Sequence, residues 1–452
     1  MSLLRSSASL ALLALCQLAI GAPTSPSSSA DVSTTTVAYA STDSNYPLWG
    51  IDSDASVPKP VRGSLGASIL GPDNVPLELE NPDMLAPPTT DNGQVYVLRF
   101  ISCIHIKVSN TTPVVSGNAK WPFSFSTNRI QTGGWARQQN AGVMPIAKNM
   151  AGVNMRLEAG AIREMHWHKT SEGTTQVSAV DQEGRNFVAN VKAGDLWFFP
   201  AGIPHSLQAT ADDPEGAEFL LVFPDGDFSE DETFLLTDWL AHVPAEGFIQ
   251  KNFQVNNPEA FSRIPSKELY IFPGTPPTTA EAPSDPQGQV PDSYAFSLSE
   301  VSPTPLAGGS VKIVDSTTFK ISTAIAAAEV TVEPGALREL HWHPTMDEWT
   351  FFLEGEGRAT IFASQGNART FNYQSGDIAY IPASMGHYIE NTGNSTLKFL
   401  EIFNTDHFQD ISLTQWLALT PSELLKAHLG LDDETIANLN KTKATVVAPV
   451  KA

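Results

Sequence analysis

Two histidines separated by one residue, followed by a glutamate and later a third histidine, occur twice in this chain. The sets are His166, His168, Glu172 and His205, then His341, His343, Glu348 and His387. Side chains two apart on a strand point to one face, so each His-Trp-His can aim two imidazoles at one interior point. Three neutral imidazoles and one carboxylate leave open positions on an octahedral ion, which suits Mn(II) or Fe(II) better than a closed tetrahedral zinc site. A single His-Trp-His would be read as a surface or structural feature; two matching sets of four argue against that.

The elements that must position these residues are themselves duplicated. Gly133 to Ala161 matches Gly308 to Ala336 at equal length, and the match continues as REMHWHKTSE against RELHWHPTMDE. AGDLWFFPAGIPHSLQA then pairs with SGDIAYIPASMGHYIEN, and FLLVFPDGDFSEDETFLLTDWLAHVP with KFLEIFNTDHFQDISLTQWLALTP. Short runs rich in branched and aromatic residues, such as Val153 to Leu157, Phe219 to Phe223, Trp349 to Leu353 and Phe399 to Phe403, are separated by Gly, Pro and Asp turns. That pattern predicts a small β-sandwich or barrel in each unit. Apolar residues at helical spacing are confined to the unit ends, at Phe234 to His242, Leu413 to Leu419 and Pro421 to Leu429.

The chain has 452 residues, 41% of them hydrophobic, enough for two or three domains with real cores. Its 27 Lys and Arg against 49 Asp and Glu give a net charge of −22, which repels phosphate backbones and anionic membranes. Neither nucleic acid nor membrane is an expected partner. Arg5, the apolar run Leu10 to Leu15, and Ala19 and Gly21 before Ala22 predict a signal peptide over 1–21 and a secreted, extracellular protein. Sequons at Asn110, Asn394 and Asn440 are compatible with that route. A Ser/Thr/Pro-rich leader is expected over 22–59, a first domain over 60–271, a Pro-rich linker over 272–290 and a second domain over 291–452. With only Cys16 and Cys103, no disulfide framework is available.

RELHWHPTMDEW, PASMGHY and their counterparts in the first unit resemble the two signature motifs of the cupin superfamily. The duplicated arrangement resembles secreted fungal bicupin oxalate decarboxylases, over nearly everything from about Pro60 onward. The resemblance implies an all-β chain of two tandem cupin (double-stranded β-helix or jelly-roll) barrels with short helices at the ends of each unit. It also implies oxalate as substrate, formate and carbon dioxide as products, Mn(2+) at both sites, a requirement for dioxygen, and a homo-oligomer, commonly a hexamer.

Arg163 and Arg338, three residues before the first histidine of each set, can hold and polarise the carboxylate oxygens of such a substrate. A surface salt bridge is the competing reading. Cleaving the carbon–carbon bond needs a group that removes a proton from oxalate and returns it to the carbon left behind. Glu230, in Phe228-Ser229-Glu230-Asp231-Glu232-Thr233, resembles the general acid of the family's mobile lid; on sequence alone an acidic surface loop explains the same run. The corresponding Asn404-Thr405-Asp406-His407-Phe408 offers no glutamate, which by analogy assigns decarboxylation to the first site. Glu401, inside FLEIF, is a second-site proton donor or a paired structural carboxylate. The second metal site would serve structure, electron transfer or weaker chemistry.

Two features break the repeat. Glu348 and His387 stand 39 residues apart but Glu172 and His205 only 33, and the gap falls where WTFFLE follows Glu348 while Gly173 follows Glu172 directly. Losing one strand is expected to leave neighbouring backbone groups without partners beside the first metal site. Conversely, the apolar segment 95–116, which contains Cys103 and His105, has no counterpart in the second unit; His105 is read as noncatalytic. We take both as the mark of misplaced exon boundaries. A message that encodes Val95 to Ser116 and joins Glu172 to Gly173 would rule that out. The rival functions are an oxalate oxidase yielding hydrogen peroxide and a non-catalytic metal-binding or storage bicupin.

Overall fold

A computed structural model describes residues 119–167, 175–363 and 368–450. The expected signal peptide, leader, segment 95–116 with Cys103 and His105, and sequon Asn110 lie outside the described residues, as do His168 and Glu172.

The regular structure of the described chain is mostly antiparallel strands, with a few short helices. It enters through β1 (Lys120–Pro122), and the first unit continues with β2 (Arg129–Gln131), β3 (Gly134–Gln139), β4 (Ala151–Leu157) and β5 (Ile162–Trp167). Then come β6 (Gln176–Val180), β7 (Asn186–Asn190), β8 (Leu196–Trp197), β9 (His205–Gln208), β10 (Ala217–Phe223) and β11 (Phe234–Leu235). Helices α1 (Leu236–Ala241) and α2 (Gln250–Phe253) precede β12 (Ile271–Phe272) and β13 (Ala295–Phe296).

The second unit repeats this order with β14 (Thr304–Leu306), β15 (Gly309–Val314), β16 (Ala326–Val332), β17 (Leu337–Trp342), β18 (Glu348–Glu354) and β19 (Glu356–Phe362). It ends with β20 (Ala368–Gln374), β21 (Asp377–Ile381), β22 (Gly386–Asn391), β23 (Leu397–Phe403), β24 (Ile411–Ser412), α3 (Leu413–Ala418), α4 (Ser422–Leu429), α5 (Asp433–Ala437) and β25 (Val446–Val447). Helices α1, α3 and α4 fall where the 3.6-residue spacing placed them, whereas α2 and α5 were not expected. Among the described residues no helix is long and apolar enough to cross a membrane.

Each barrel is two facing sheets. In the second unit they run β1-β21-β18-β23-β16-β15-β14 and β20-β19-β22-β17-β24. In β19, Gly357, Ala359 and Ile361 are buried while Glu356, Arg358 and Phe362 are exposed, the period-two pattern of a sheet with one face inward. In the first unit the sheets run β10-β4-β3-β2 and β11-β5-β9-β6-β7. There β8 pairs with β13 and β10 with β4, and no described strand stands between β8 and β10. In the second unit β18 occupies that place, bonded to β21 on one side and β23 on the other.

The units also complete one another. β1, from the start of the first unit, pairs with β21 of the second barrel, and β13, which follows the Pro-rich stretch, pairs with β8 of the first. Lys120 on β1 is buried beside Asp377, 3.4 Å away, and also donates to the Asn372 carbonyl. Each barrel has its own apolar core. A third core lies between them, with Met144, Met150, Leu196, Phe198 and Val222 against Val314, Trp349, Ile378, Tyr380 and Ile402. Gly152 makes this contact possible: a Cβ there would come within 2.3 Å of the Trp349 ring. The Trp349 indole N–H donates to Gln139 Oε1 at 2.7 Å.

Candidate active site

The second set of ligands is brought together. His341 lies on β17, His343 just past its end, Glu348 opens β18 and His387 is on β22. Their ligand atoms all lie within 4.8 Å of one another, and all four residues are buried. Strand register explains the convergence. His341 is paired directly with His387 across β17 and β22, and Glu348 is held between Ile381 and Phe403.

The donor set fits a divalent ion. Each ring is oriented by a backbone carbonyl at Nδ1: Glu339 O for His341 at 2.7 Å, Gln409 O for His343 at 2.7 Å and Met385 O for His387 at 2.9 Å. Such bonds fix the tautomer that leaves Nε2 as the free lone pair. Nε2 of His341 is buried with no hydrogen-bond partner among the described residues. Nε2 of His343 is 3.0 Å from Glu348 Oε2 without hydrogen-bond geometry, while Nε2 of His387 is 2.9 Å from the same oxygen. Burial, reinforced by Arg338 and the neighbouring rings, pushes His341 well below the ordinary imidazole value, keeping it a neutral ligand. Burial works to raise Glu348, but His387 and His343 outweigh it and hold its carboxyl well below the usual range. Three imidazole nitrogens and one carboxylate oxygen around an enclosed point suit an octahedral ion with positions left over.

The described half of the first site is built in the same way. His166 is paired with His205 across β5 and β9, and their ring centroids are 4.4 Å apart, against 4.1 Å for His341 and His387. Nδ1 of His166 meets Glu164 O and Nδ1 of His205 meets Ile203 O at 2.7 Å, repeating the two-residue offset of the second site. Burial lowers His205 to about 4, so it too is neutral.

Both arginines reach their sites through a β-bulge. On a regular strand Arg163 and His166, three apart, would face opposite ways. The register shifts between Arg163 and His166 on β5, and between Arg338 and His341 on β17, which turns each arginine inward. Both are buried and neither makes the surface salt bridge that was the competing reading. Arg163 Nη2 donates to Glu230 Oε2 at 3.1 Å, and the Tyr270 hydroxyl donates to the same oxygen at 2.8 Å. Glu230 is itself 6% exposed, so it is no solvated surface acid, and its Oε1 has no hydrogen-bond partner among the described residues.

In the second unit Arg338 is bound by two carboxylates. Its Nε and Nη2 face Glu401 Oε1 and Oε2 at 2.9 and 3.4 Å, and Nη2 also meets Asp410 Oδ2 at 2.9 Å. Lys443 pairs with Asp410 in turn. Burial raises the Glu401 carboxyl above its ordinary value although Arg338 opposes that shift. Tyr270, Asp410 and Lys443 were not found from sequence. Tyr270 lies in the Pro-rich approach to the linker, and its only signal is its position one residue before β12, which corresponds to Thr445 before β25.

A cupin family model matches residues 126–260 and 297–437. The chain is 48% identical over 399 residues to oxalate decarboxylase OxdC of Bacillus subtilis (strain 168), covering 86% of this chain and 97% of that protein. It is 36% identical over 415 residues to a probable oxalate decarboxylase of Arthroderma benhamiae, covering 87% and 96%. Among solved structures, B. subtilis oxalate decarboxylase at pH 4.6 superposes with a TM-score of 0.74 at 47% identity, covering 88% of this chain and all of that one. A structure of the same bacterial enzyme, studied for its Mn(II) centres, superposes with a TM-score of 0.73 at 48% identity, covering 87% and 99%.

Proposed function

The chain belongs to the bicupin oxalate decarboxylase family of cupin proteins, and from that premise we propose that it cleaves oxalate to formate and carbon dioxide at the first site. It is a carbon–carbon lyase. His166, His168, Glu172 and His205 would hold one Mn(2+), and His341, His343, Glu348 and His387 a second. Bound manganese supplies electrophilic coordination of a carboxylate and, with dioxygen, a one-electron path.

The observation that carries this reading is the state of Glu230. A buried carboxylate with one oxygen fixed by Arg163 and Tyr270 and the other without a partner among the described residues is arranged to exchange a proton with a ligand. Arg163 offers its guanidinium to the substrate carboxylate in an enclosed setting, where that charge interacts strongly. Hydrogen oxalate then yields carbon dioxide and formate with no net change in protons: Glu230 takes the acidic proton and returns it to the carbon from which carbon dioxide has left. An oxidase has no carbon to protonate and no use for such a group. We also propose secretion, in keeping with the segment 1–21, and a homo-oligomer, which the family resemblance implies is a hexamer.

The test is to measure formate against hydrogen peroxide on the metal-loaded chain. Glu230→Ala should cut formate about 10²-fold or more, the usual contribution of a positioned acid–base group, and shift the balance toward peroxide. An unchanged ratio removes Glu230 from the mechanism.

A further inference from the structure

The segment carrying Glu230 is a single 3-10 turn, Glu230–Glu232, capped by Ser229, whose hydroxyl accepts from Asp231 N. A turn this short has little cohesion of its own, and two side chains from adjacent strands hold it. On β3, Gln138 Oε1 accepts the Glu230 backbone N–H at 2.9 Å, and its amide lies 3.4 Å from Ser229 Oγ. On β2, Arg129 Nη1 is 3.2 Å from Asp231 Oδ1, while Nη2 is 2.6 Å from Glu268 Oε1. The same guanidinium stacks over the Tyr270 ring at 3.6 Å, with Arg163 4.1 Å from that ring. Arg129 thus touches both the turn and the tyrosine that bonds Glu230.

The second unit supplies an internal control. Its loop between β23 and α3 is three residues shorter and carries no glutamate, and the positions equivalent to Arg129 and Gln138 hold Thr304 and Ile313. Where there is no acidic turn to hold, neither holding group is present.

We propose that Arg129 and Gln138 form a two-point latch that fixes the 229–232 turn over Arg163 and so positions Glu230. This rests on the reading of Glu230 as the proton carrier. The two are positioning residues, and their contacts differ in kind. The Arg129–Asp231 pair is partly exposed and is screened by salt, whereas the Gln138 contact is neutral and is not.

Hydrogen exchange of the segment 228–234, measured on the full metal-loaded chain together with the formate-to-peroxide ratio, tests this. Gln138→Met and Arg129→Ala should each speed exchange at the Glu230 amide roughly tenfold, the scale of one lost hydrogen bond, and lower the formate fraction. Gln138→Glu, which keeps an acceptor, and Arg129→Lys, which keeps the charge, should recover part of both. High salt should speed exchange in the wild type but not in Arg129→Ala. Acceleration confined to 228–234, with β4 unaffected, separates latch release from general unfolding; acceleration spread equally into β4 overturns the latch. Unchanged exchange in Gln138→Met also overturns it, as does faster exchange with an unaltered product ratio while Glu230→Ala alters that ratio. If Glu230→Ala itself leaves the ratio intact, the proton-carrier reading falls, and exchange alone decides whether the latch exists.

Discussion

The second barrel keeps one sheet continuous from β21 through β18 to β23; at the same place the first barrel has six fewer residues, and its β8 and β10 have no described strand between them. What differs is the backing of the ligands rather than their types. Glu348 opens a strand anchored on both sides, and the next residue, Trp349, is clamped by Gln139 and by Gly152 at the interface between units. Glu172 is followed by Gly173 and by none of the residues that do this work. The arginines differ in the opposite sense. Arg338 already lies between Glu401 and Asp410, so its charge is largely neutralised within the protein. Among the described residues Arg163 meets a single carboxylate, and Leu221 stands where the second unit has Glu401, leaving it better suited to hold an added carboxylate. The four-residue cluster seen among the described residues and the arginine with one described carboxylate partner belong to different units.

Inserting Trp-Thr-Phe-Phe-Leu-Glu between Glu172 and Gly173 is the strongest way to break this comparison. It should restore a strand between β8 and β10, raise metal content toward two ions per chain and increase formate production by an order of magnitude or more. Metal analysis and a formate assay on both chains check it, and equal values would mean that the shorter first unit is sufficient as it stands. His387→Ala should lower metal affinity at the second site by more than the roughly 10–100-fold typical of a lost supporting partner, while the first-site pairing of His166 with His205 is untouched. Manganese titration of that variant beside His205→Ala gives the affinity of each site separately.

Smaller effects probe how the units depend on each other. Lys120→Met leaves Asp377 buried without its cation and should cost about 3–5 kcal/mol in denaturant unfolding, since β1 belongs to the second barrel's sheet. A loss confined to the first unit would contradict that pairing. Gly152→Ala pushes a methyl against the Trp349 ring and should cost about 1–3 kcal/mol. Indole fluorescence should report the displaced ring, and an unperturbed signal would show that the interface has room to relax.

The second unit's converging His and Glu residues, the strand-rich units and helices α1, α3 and α4 were legible because they rest on local rules: two-residue alternation on strands, 3.6-residue spacing on helices, and turn residues between. Equal spacing in two copies also located the six-residue gap without coordinates. Glu230 could be named from its loop, but not its burial, because nothing local distinguishes an acid folded under Tyr270 from one in water. The inward turn of Arg163 and Arg338 was hidden for a related reason: a bulge adds one residue to a strand only relative to its partner.

The repeated His and Glu motifs were therefore written in the order of residues along the chain. Which strand finishes which barrel, and what holds Glu230 in place, depended on residues far apart in sequence, such as Lys120 with Asp377 or Arg129 with Asp231 and Glu268. Contacts at that separation leave no periodicity for a sequence to display, and only the packing of the two sheets brings them within reach.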